Sequence, residues 1–101
     1  MNRILVIALI LLSSAAIASA QNGKNIYSSK CAICHGPDGR GDSPVGKSLK
    51  VADLHSADVQ KLSDADLKTV ISNGKNKMPA FKGKLTDAQI NDVISYVREI
   101  K

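Results

Sequence analysis

The chain is short and basic, with 101 residues, a formal net charge of +5 and only three aromatic side chains, two tyrosines and one phenylalanine. A chain of this length forms one small domain, in which a hydrophobic core alone gives marginal stability and a cofactor often supplements it. Its basic residues form no recognisable nucleic-acid motif and have no stacking aromatics among them, so nucleic-acid binding is not expected. The positive charge favours partners with acidic surfaces.

The first 20 residues predict a secretory signal. A short positively charged start precedes an apolar run over residues 4–12, and the small residues 18–20 fit the pattern that signal peptidase cleaves. We expect cleavage before Gln21 and a domain of residues 21–101 in the periplasm, or in the thylakoid lumen of a photosynthetic cell. An uncleaved anchor helix is the alternative, although the apolar run is short for a bilayer span of about 20 residues. After cleavage no stable membrane insertion is expected.

The exported domain is predicted to begin with a helix and a long loop. Asn22 is the expected N-cap of the helix, which runs through the cysteines and ends at Gly36 and Pro37. Residues 36–52 are rich in glycine and proline, which predicts a loop that wraps a cofactor.

Two capping signals predict the later helices. Ser63 with Asp66 forms a weak variant of the capping box and opens a helix that ends at Gly74. Thr86 with Gln89 forms a full capping box in front of the last helix. The apolar residues of both helices recur at helical spacing and are expected to face the core: Leu67, Val70 and Ile71 in the first, and Ile90, Val93, Ile94, Val97 and Ile100 in the second.

The only two cysteines of the chain lie in a C-x-x-C-H motif formed by Cys31, Cys34 and His35. This spacing is the attachment signature of c-type haem, in which two thiols bond the porphyrin vinyl groups and the histidine reaches the iron. A thiol oxidoreductase is less consistent, because the chain lacks the βαβ pattern that surrounds such a pair. A zinc site needs four ligands, and His55 is the only other histidine. A structural disulfide remains compatible with the spacing.

Met78 is the expected second axial ligand of the iron. It is the only methionine after the predicted signal, and methionine opposite histidine is the ligand pair that raises the potential of haem electron carriers. Pro79 disfavours helical geometry at the residue before it, so Met78 is expected on a stiffened loop. His55 is the rival ligand.

The two motifs, Cys31-Ala32-Ile33-Cys34-His35-Gly36 and Met78-Pro79-Ala80-Phe81, resemble the class I cytochromes c, especially their short bacterial and photosynthetic forms. The resemblance implies an all-α fold of three to four helices around one covalently attached haem c, with the first and last helices crossing.

Several single residues match the family as well. Gly23, Tyr27 and Tyr96 resemble the glycine and the aromatic residues at the helix crossing. In the family, a proline carbonyl in the glycine-rich loop accepts the Nδ1 proton of the haem histidine. The resemblance makes Pro44 the candidate for that role.

The expected function is one-electron transport by a soluble monomer, without enzymatic activity, because ligands on both faces of the iron leave no position for a substrate. The redox partners would be membrane oxidases or reductases, or a photosynthetic complex. An open or weakly ligated iron face would instead give a gas sensor or a peroxidase-like protein. A group of lysines around Met78 is expected to dock on acidic partner surfaces: Lys75, Lys77, Lys82 and Lys84.

Overall fold

The computed structural model describes the backbone of residues 3–100 and the side chains of residues 15–100. The side chains of the predicted positive start, Met1-Asn2-Arg3, and of the apolar run lie outside this part. Among the described residues none of the helices is long and apolar enough to span a bilayer. The same residues form six helices and confirm the predicted all-α class: α1 (Arg3–Lys30), α2 (Ala32–His35), α3 (Pro44–Leu49), α4 (Ala57–Gln60), α5 (Asp64–Asn73) and α6 (Asp87–Glu99).

Helix α1 is longer than the sequence predicts. It runs without a break from Arg3 to Lys30, so Asn22 lies inside it and does not act as its N-cap. The physical reason is that the alanine-rich residues 15–20 favour helix and that no glycine or proline precedes Asn22 to end it. After a turn at Cys31 the chain resumes as the single-turn helix α2.

The first and last helices cross as predicted. A Cβ atom built on Gly23 would lie 1.9 Å from the backbone oxygen of Asp92 in α6, so this approach of the two backbones requires glycine. The ring centroids of Tyr27 and Tyr96 lie 5.2 Å apart, within the range of favourable aromatic pairs. The crossing therefore fixes α1, and the motif that follows it, against the C-terminal helix.

The predicted loop over residues 36–52 is partly wrong, because residues 44–49 form helix α3. Ser43 caps this helix: its hydroxyl accepts from the backbone amide of Gly46 at 2.9 Å. Pro44 occupies the first turn of the helix, where its missing N–H costs nothing. The single-turn helix α4 begins in the same way, with Ser56 as its N-cap, and was not predicted.

Both predicted caps of the later helices are present. The hydroxyl of Ser63 accepts from the amide of Asp66 at 3.0 Å at the start of α5. Thr86 and Gln89 form the reciprocal capping box at the start of α6. The predicted apolar faces meet in the core, where the buried side chains are Leu67 from α5 and Ile90, Val93, Ile94 and Val97 from α6, together with Tyr27 and Phe81.

Arg98 connects the end of α6 to the segment that contains α4. Its guanidinium donates to the backbone oxygens of Gln60, at 2.9 Å, and of Leu62, and to the carboxylate of Asp64 at 3.0 Å. The side-chain amide of Gln60 donates in turn to the backbone oxygens of Leu54, at 2.8 Å, and Val97, at 3.0 Å. These bonds hold residues 54–64 against the C-terminal helix.

Candidate functional site

Two adjoining cavities contain the residues predicted to bind haem. The larger, of about 290 Å³, has Cys31, His35 and Met78 in its wall. The smaller, of about 100 Å³, shares these three residues and adds Cys34. Elsewhere the larger cavity is mostly apolar, with a wall drawn from every part of the domain: Tyr27, Leu54, Val59, Leu62, Leu67, Val70, Ile71, Val93, Ile94 and Val97.

The two cysteines are placed by the turn and single helical turn that follow α1. Cys31 and Cys34 are both free thiols and half-buried. Burial, with a smaller contribution from the neighbouring Cys34, raises the pKa of Cys31 to about 11. Because the thiolate is the nucleophile of dithiol oxidoreductases and needs a lowered pKa, this environment argues against a thioredoxin-like activity.

The imidazole of His35 has a different neighbour from the one predicted. Its Nδ1 lies 3.1 Å from the backbone oxygen of Ala52. The proposed partner, Pro44, is the first residue of α3, where a helical carbonyl bonds to the amide four residues later, here that of Ser48. The carbonyl of Pro44 is therefore used inside its own helix in this structure.

Met78 lies on a short loop, as Pro79 predicts. Its backbone pairs with Lys75 in both directions, with N···O distances of 2.9 and 3.2 Å, across a tight turn at Asn76. Two further bonds fasten the loop to the end of α5: the amide of Phe81 donates to the oxygen of Ile71, and the amide of Lys82 to that of Ser72, each at 3.0 Å. Met78 is half-buried and borders both cavities.

His55, the rival ligand, lies elsewhere. Its Nε2 is 2.5 Å from the backbone oxygen of Asp38. A carbonyl only accepts, so Nε2 donates in this contact and only Nδ1 keeps a lone pair. Of the residues that line the two cavities, His35 is the only histidine.

The predicted docking lysines all lie on the surface. Lys75, Lys77, Lys82 and Lys84 are exposed, and within residues 15–100 none of them takes part in an ion pair. Lys75 also borders the larger cavity and Lys77 the smaller one. Positive charge thus reaches the cavity openings on the Met78 side.

The residues around the cavities fit a covalently attached haem. Two thiols, one imidazole and one thioether lie in the walls of the two adjoining cavities, and these are the groups that c-type attachment and ligation of haem iron require. Sequence reasoning found these four side chains from their type and spacing. It missed Ala52, because the group involved is a backbone oxygen. It also missed Val59, since the short helix α4 that carries it was not recognised, and Leu62, which follows that helix.

Comparisons with known proteins find relatives that cover most of the chain. A family model described as cytochrome C oxidase, cbb3-type, subunit III, matches residues 18–97. Cytochrome c6 of Nostoc sp. is 42% identical over 85 residues, which cover 84% of this chain and 74% of the relative. Cytochrome c6 of Synechocystis sp. is 38% identical, with 84% and 68% covered. Cytochrome c6 of Bumilleriopsis filiformis is 38% identical, with 79% and 90% covered.

Proposed function

The chain belongs to the class I c-type cytochromes, which hold one covalently attached haem c and carry electrons, and we propose that it shuttles single electrons between redox complexes outside the cytoplasm. The observation that supports this role is that Cys31, His35 and Met78 line both of two adjoining cavities and that Cys34 lines the smaller of them. In this proposal the cysteines form the thioethers, and His35 and Met78 are the two axial ligands.

Each of these residues has a distinct task. A bound haem c supplies one iron that alternates between the ferrous and ferric states. In the proposed ligand set His35 and Met78 would both bind this iron, which would leave no coordination position for a substrate. The apolar wall limits solvent around the group and thereby tunes its potential.

The proposed partners are redox proteins with acidic docking surfaces, such as a membrane oxidase, a reductase or a photosynthetic complex. Support comes from the exposed lysines beside the openings of the two cavities, Lys75 and Lys77, and from the adjacent Lys82 and Lys84. Complementary charge orients such a carrier and speeds its encounters at low salt. We also propose that the chain is exported, with cleavage before Gln21, into a periplasm or a thylakoid lumen. It is proposed to act as a monomer.

Visible spectra of the haem-loaded protein test the ligand set. The protein is co-expressed with a cytochrome maturation system, and oxidised and reduced spectra are recorded for the wild type, Met78→Ala and the control His55→Ala. We expect a c-type haem spectrum whose sulfur-to-iron charge-transfer band in the red is lost in Met78→Ala and kept in His55→Ala.

Other outcomes of the same experiment would contradict the proposal in identifiable ways. Loss of the band in His55→Ala would transfer the ligand role to that histidine. Rapid carbon monoxide binding to the reduced wild type would indicate an open iron face and a sensor or peroxidase-like protein. A colourless product, with haem supply confirmed, would remove the haem-binding role altogether.

A further inference from the structure

We propose that the backbone carbonyl of Ala52 receives the Nδ1 proton of His35 and so orients the iron-binding ring, in place of the carbonyl of Pro44. The inference rests on the proposed ligation of haem iron by His35. Nδ1 and the carbonyl oxygen lie 3.1 Å apart. Since a carbonyl only accepts, this contact places the proton on Nδ1 and leaves the lone pair on Nε2, the form in which histidine binds a metal.

The segment that carries Ala52 is fastened on both sides. The amide of Val51 donates to the oxygen of Gly46 at 3.1 Å, and the amide of Leu54 donates to the oxygen of Gly39 at 2.7 Å. Backbone hydrogen bonds on either side of Ala52 thus connect this segment to the stretch that follows the haem-attachment motif. Ala52 is held in register with His35 by backbone bonds and needs no side chain of its own for the task.

Gly41 sets the separation between the two stretches. Its amide donates to the oxygen of His35 at 2.7 Å, so it lies next to the ligand's own backbone. Its φ of +73° belongs to the left-handed region, and a Cβ there would meet the oxygens of Val51 at 2.9 Å and Ala52 at 3.4 Å. A side chain at position 41 would therefore press on the peptides that present the acceptor.

The carbonyl of Pro44 belongs to the first turn of helix α3. The amide of Lys47 donates to the oxygen of Ser43 at 2.8 Å, which establishes the first turn of α3. The hydroxyl of Ser43 caps that turn and also donates to the backbone oxygen of Cys34 at 2.8 Å, which fixes α3 against the attachment motif. Redirecting the carbonyl of Pro44 toward His35 would break the first turn of a helix that is anchored at its start.

The proposed bond has an electronic consequence. A hydrogen bond donated by the ring nitrogen that does not bind the metal, here Nδ1, raises the basicity of a histidine ligand. A more basic ligand favours the ferric form, so weakening the bond should raise the reduction potential. Ala52 is in this sense a positioning residue, which acts on the iron only through His35.

Nuclear magnetic resonance of the ferrous, haem-loaded wild type identifies the acceptor directly. We expect the Nδ1 proton of His35 to show nuclear Overhauser effects to the α protons of Ala52 and Asp53, which lie on the oxygen side of the trans peptide that joins these residues. Effects to the α proton of Val45 instead would assign the bond to Pro44 and overturn the inference. Large ring-current shifts of the carbon-bound ring protons of His35 report ligation separately, so failure of the inference is distinguishable from failure of the proposed function.

A matched pair of glycine variants tests the consequence. Gly41→Ala adds a methyl group against Val51 and Ala52, whereas Gly83→Ala adds one at a similar φ of +84° with nothing within 4 Å. Both variants carry the same kind of backbone strain. At a fixed solution potential we expect Gly41→Ala to lower the ratio of ferric to ferrous protein about threefold or more, with a shifted Nδ1 proton resonance, and Gly83→Ala to change neither.

Equal potentials and Nδ1 proton resonances in the two variants would overturn the role of Ala52. If Gly41→Ala does not fold, the Overhauser experiment on the wild type decides alone.

Discussion

The phenol of Tyr27 donates a hydrogen bond of 2.5 Å to the backbone oxygen of Gly36, which ends the haem-attachment motif. Tyr27 is only 1% exposed, so this bond lies in the interior between α1 and the end of α2. The bond links the crossing of α1 and α6 directly to the motif, whereas the aromatic pair of Tyr27 and Tyr96 joins only the two helices.

Tyr27→Phe should lower the free energy of unfolding of the haem-loaded protein by about 1–2 kcal/mol, because it leaves a buried carbonyl without its donor. Tyr96→Phe is the control, since the hydroxyl of Tyr96 makes no hydrogen bond within the part of the chain that the structure describes. Denaturant titrations at neutral pH measure both. A cost in the control as large as that of Tyr27→Phe would contradict the assignment of the effect to the bond with Gly36.

The same phenol predicts a dependence on alkaline pH. Burial is the main cause that raises the pKa of Tyr27 far above its usual value of about 10. Above pH of about 10 the unfolded chain loses this proton while the folded protein keeps it, so the stabilisation is complete below that pH and declines as pH rises. Unfolding free energies measured from pH 8 to 11 should fall more steeply in the wild type than in Tyr27→Phe. Parallel curves would contradict the prediction.

Gly23→Ala should disrupt the crossing of α1 and α6. The added methyl group would overlap the backbone oxygen of Asp92, whose distance from the Cβ position is 1.9 Å. Overpacking of this kind costs about 1–3 kcal/mol or more, whereas the exposed Lys24→Ala should change the free energy of unfolding by less than about 0.5 kcal/mol. Thermal unfolding of the two variants makes the comparison, and equal stability would show that the crossing tolerates a wider separation.

Arg98→Met should destabilise the protein by about 2–3 kcal/mol, because the guanidinium donates to two backbone oxygens and to Asp64. The control is Lys61→Met, which removes the exposed ion pair between Lys61 and Asp58 and should cost at most about 0.5 kcal/mol. Denaturant unfolding gives both values. If Arg98→Met costs no more than the control, the guanidinium bonds do not hold this segment.

Charge neutralisation should reveal the docking surface. A variant with Lys75 and Lys77 replaced by glutamine should receive electrons from an acidic redox partner several-fold more slowly at low salt, with a flatter dependence on ionic strength. A control with the exposed Lys24 replaced by glutamine loses charge on α1 outside the cavity walls. Stopped-flow electron-transfer rates measured at increasing salt compare the double variant with the control. Identical salt dependence in all three proteins would place docking elsewhere.

The later helices could be predicted from sequence because local chemistry determines where they begin. Ser63 and Thr86 each bond the amide three residues on, a contact that depends only on neighbouring residues. Helix α3 carries the same local signal, because Ser43 bonds the amide of Gly46 three residues on and Pro44 occupies the first turn. It was missed because the glycine and proline content of residues 36–52 indicated a loop.

The same distinction between local chemistry and folded structure applies to the site. The attachment motif and Met78 were found because thiols, imidazole and thioether are rare groups with specific chemistry. Ala52 could not be found, because any residue supplies a carbonyl oxygen and only the folded backbone determines which one reaches His35. Its position depends on contacts with Gly41 and Gly46, which are visible only in three dimensions.

The loop that carries Met78 is fastened to the end of α5. Its backbone is bonded to Ile71 and Ser72 at the end of that helix, so opening the last turn of α5 also frees the methionine. The amides of Phe81 and Lys82 should consequently exchange with deuterium at the same rate as those of the last turn of α5, as one cooperative unit. With Met78 as the proposed iron ligand, the lifetime of its bond to the iron would then be determined by how often a helix end frays.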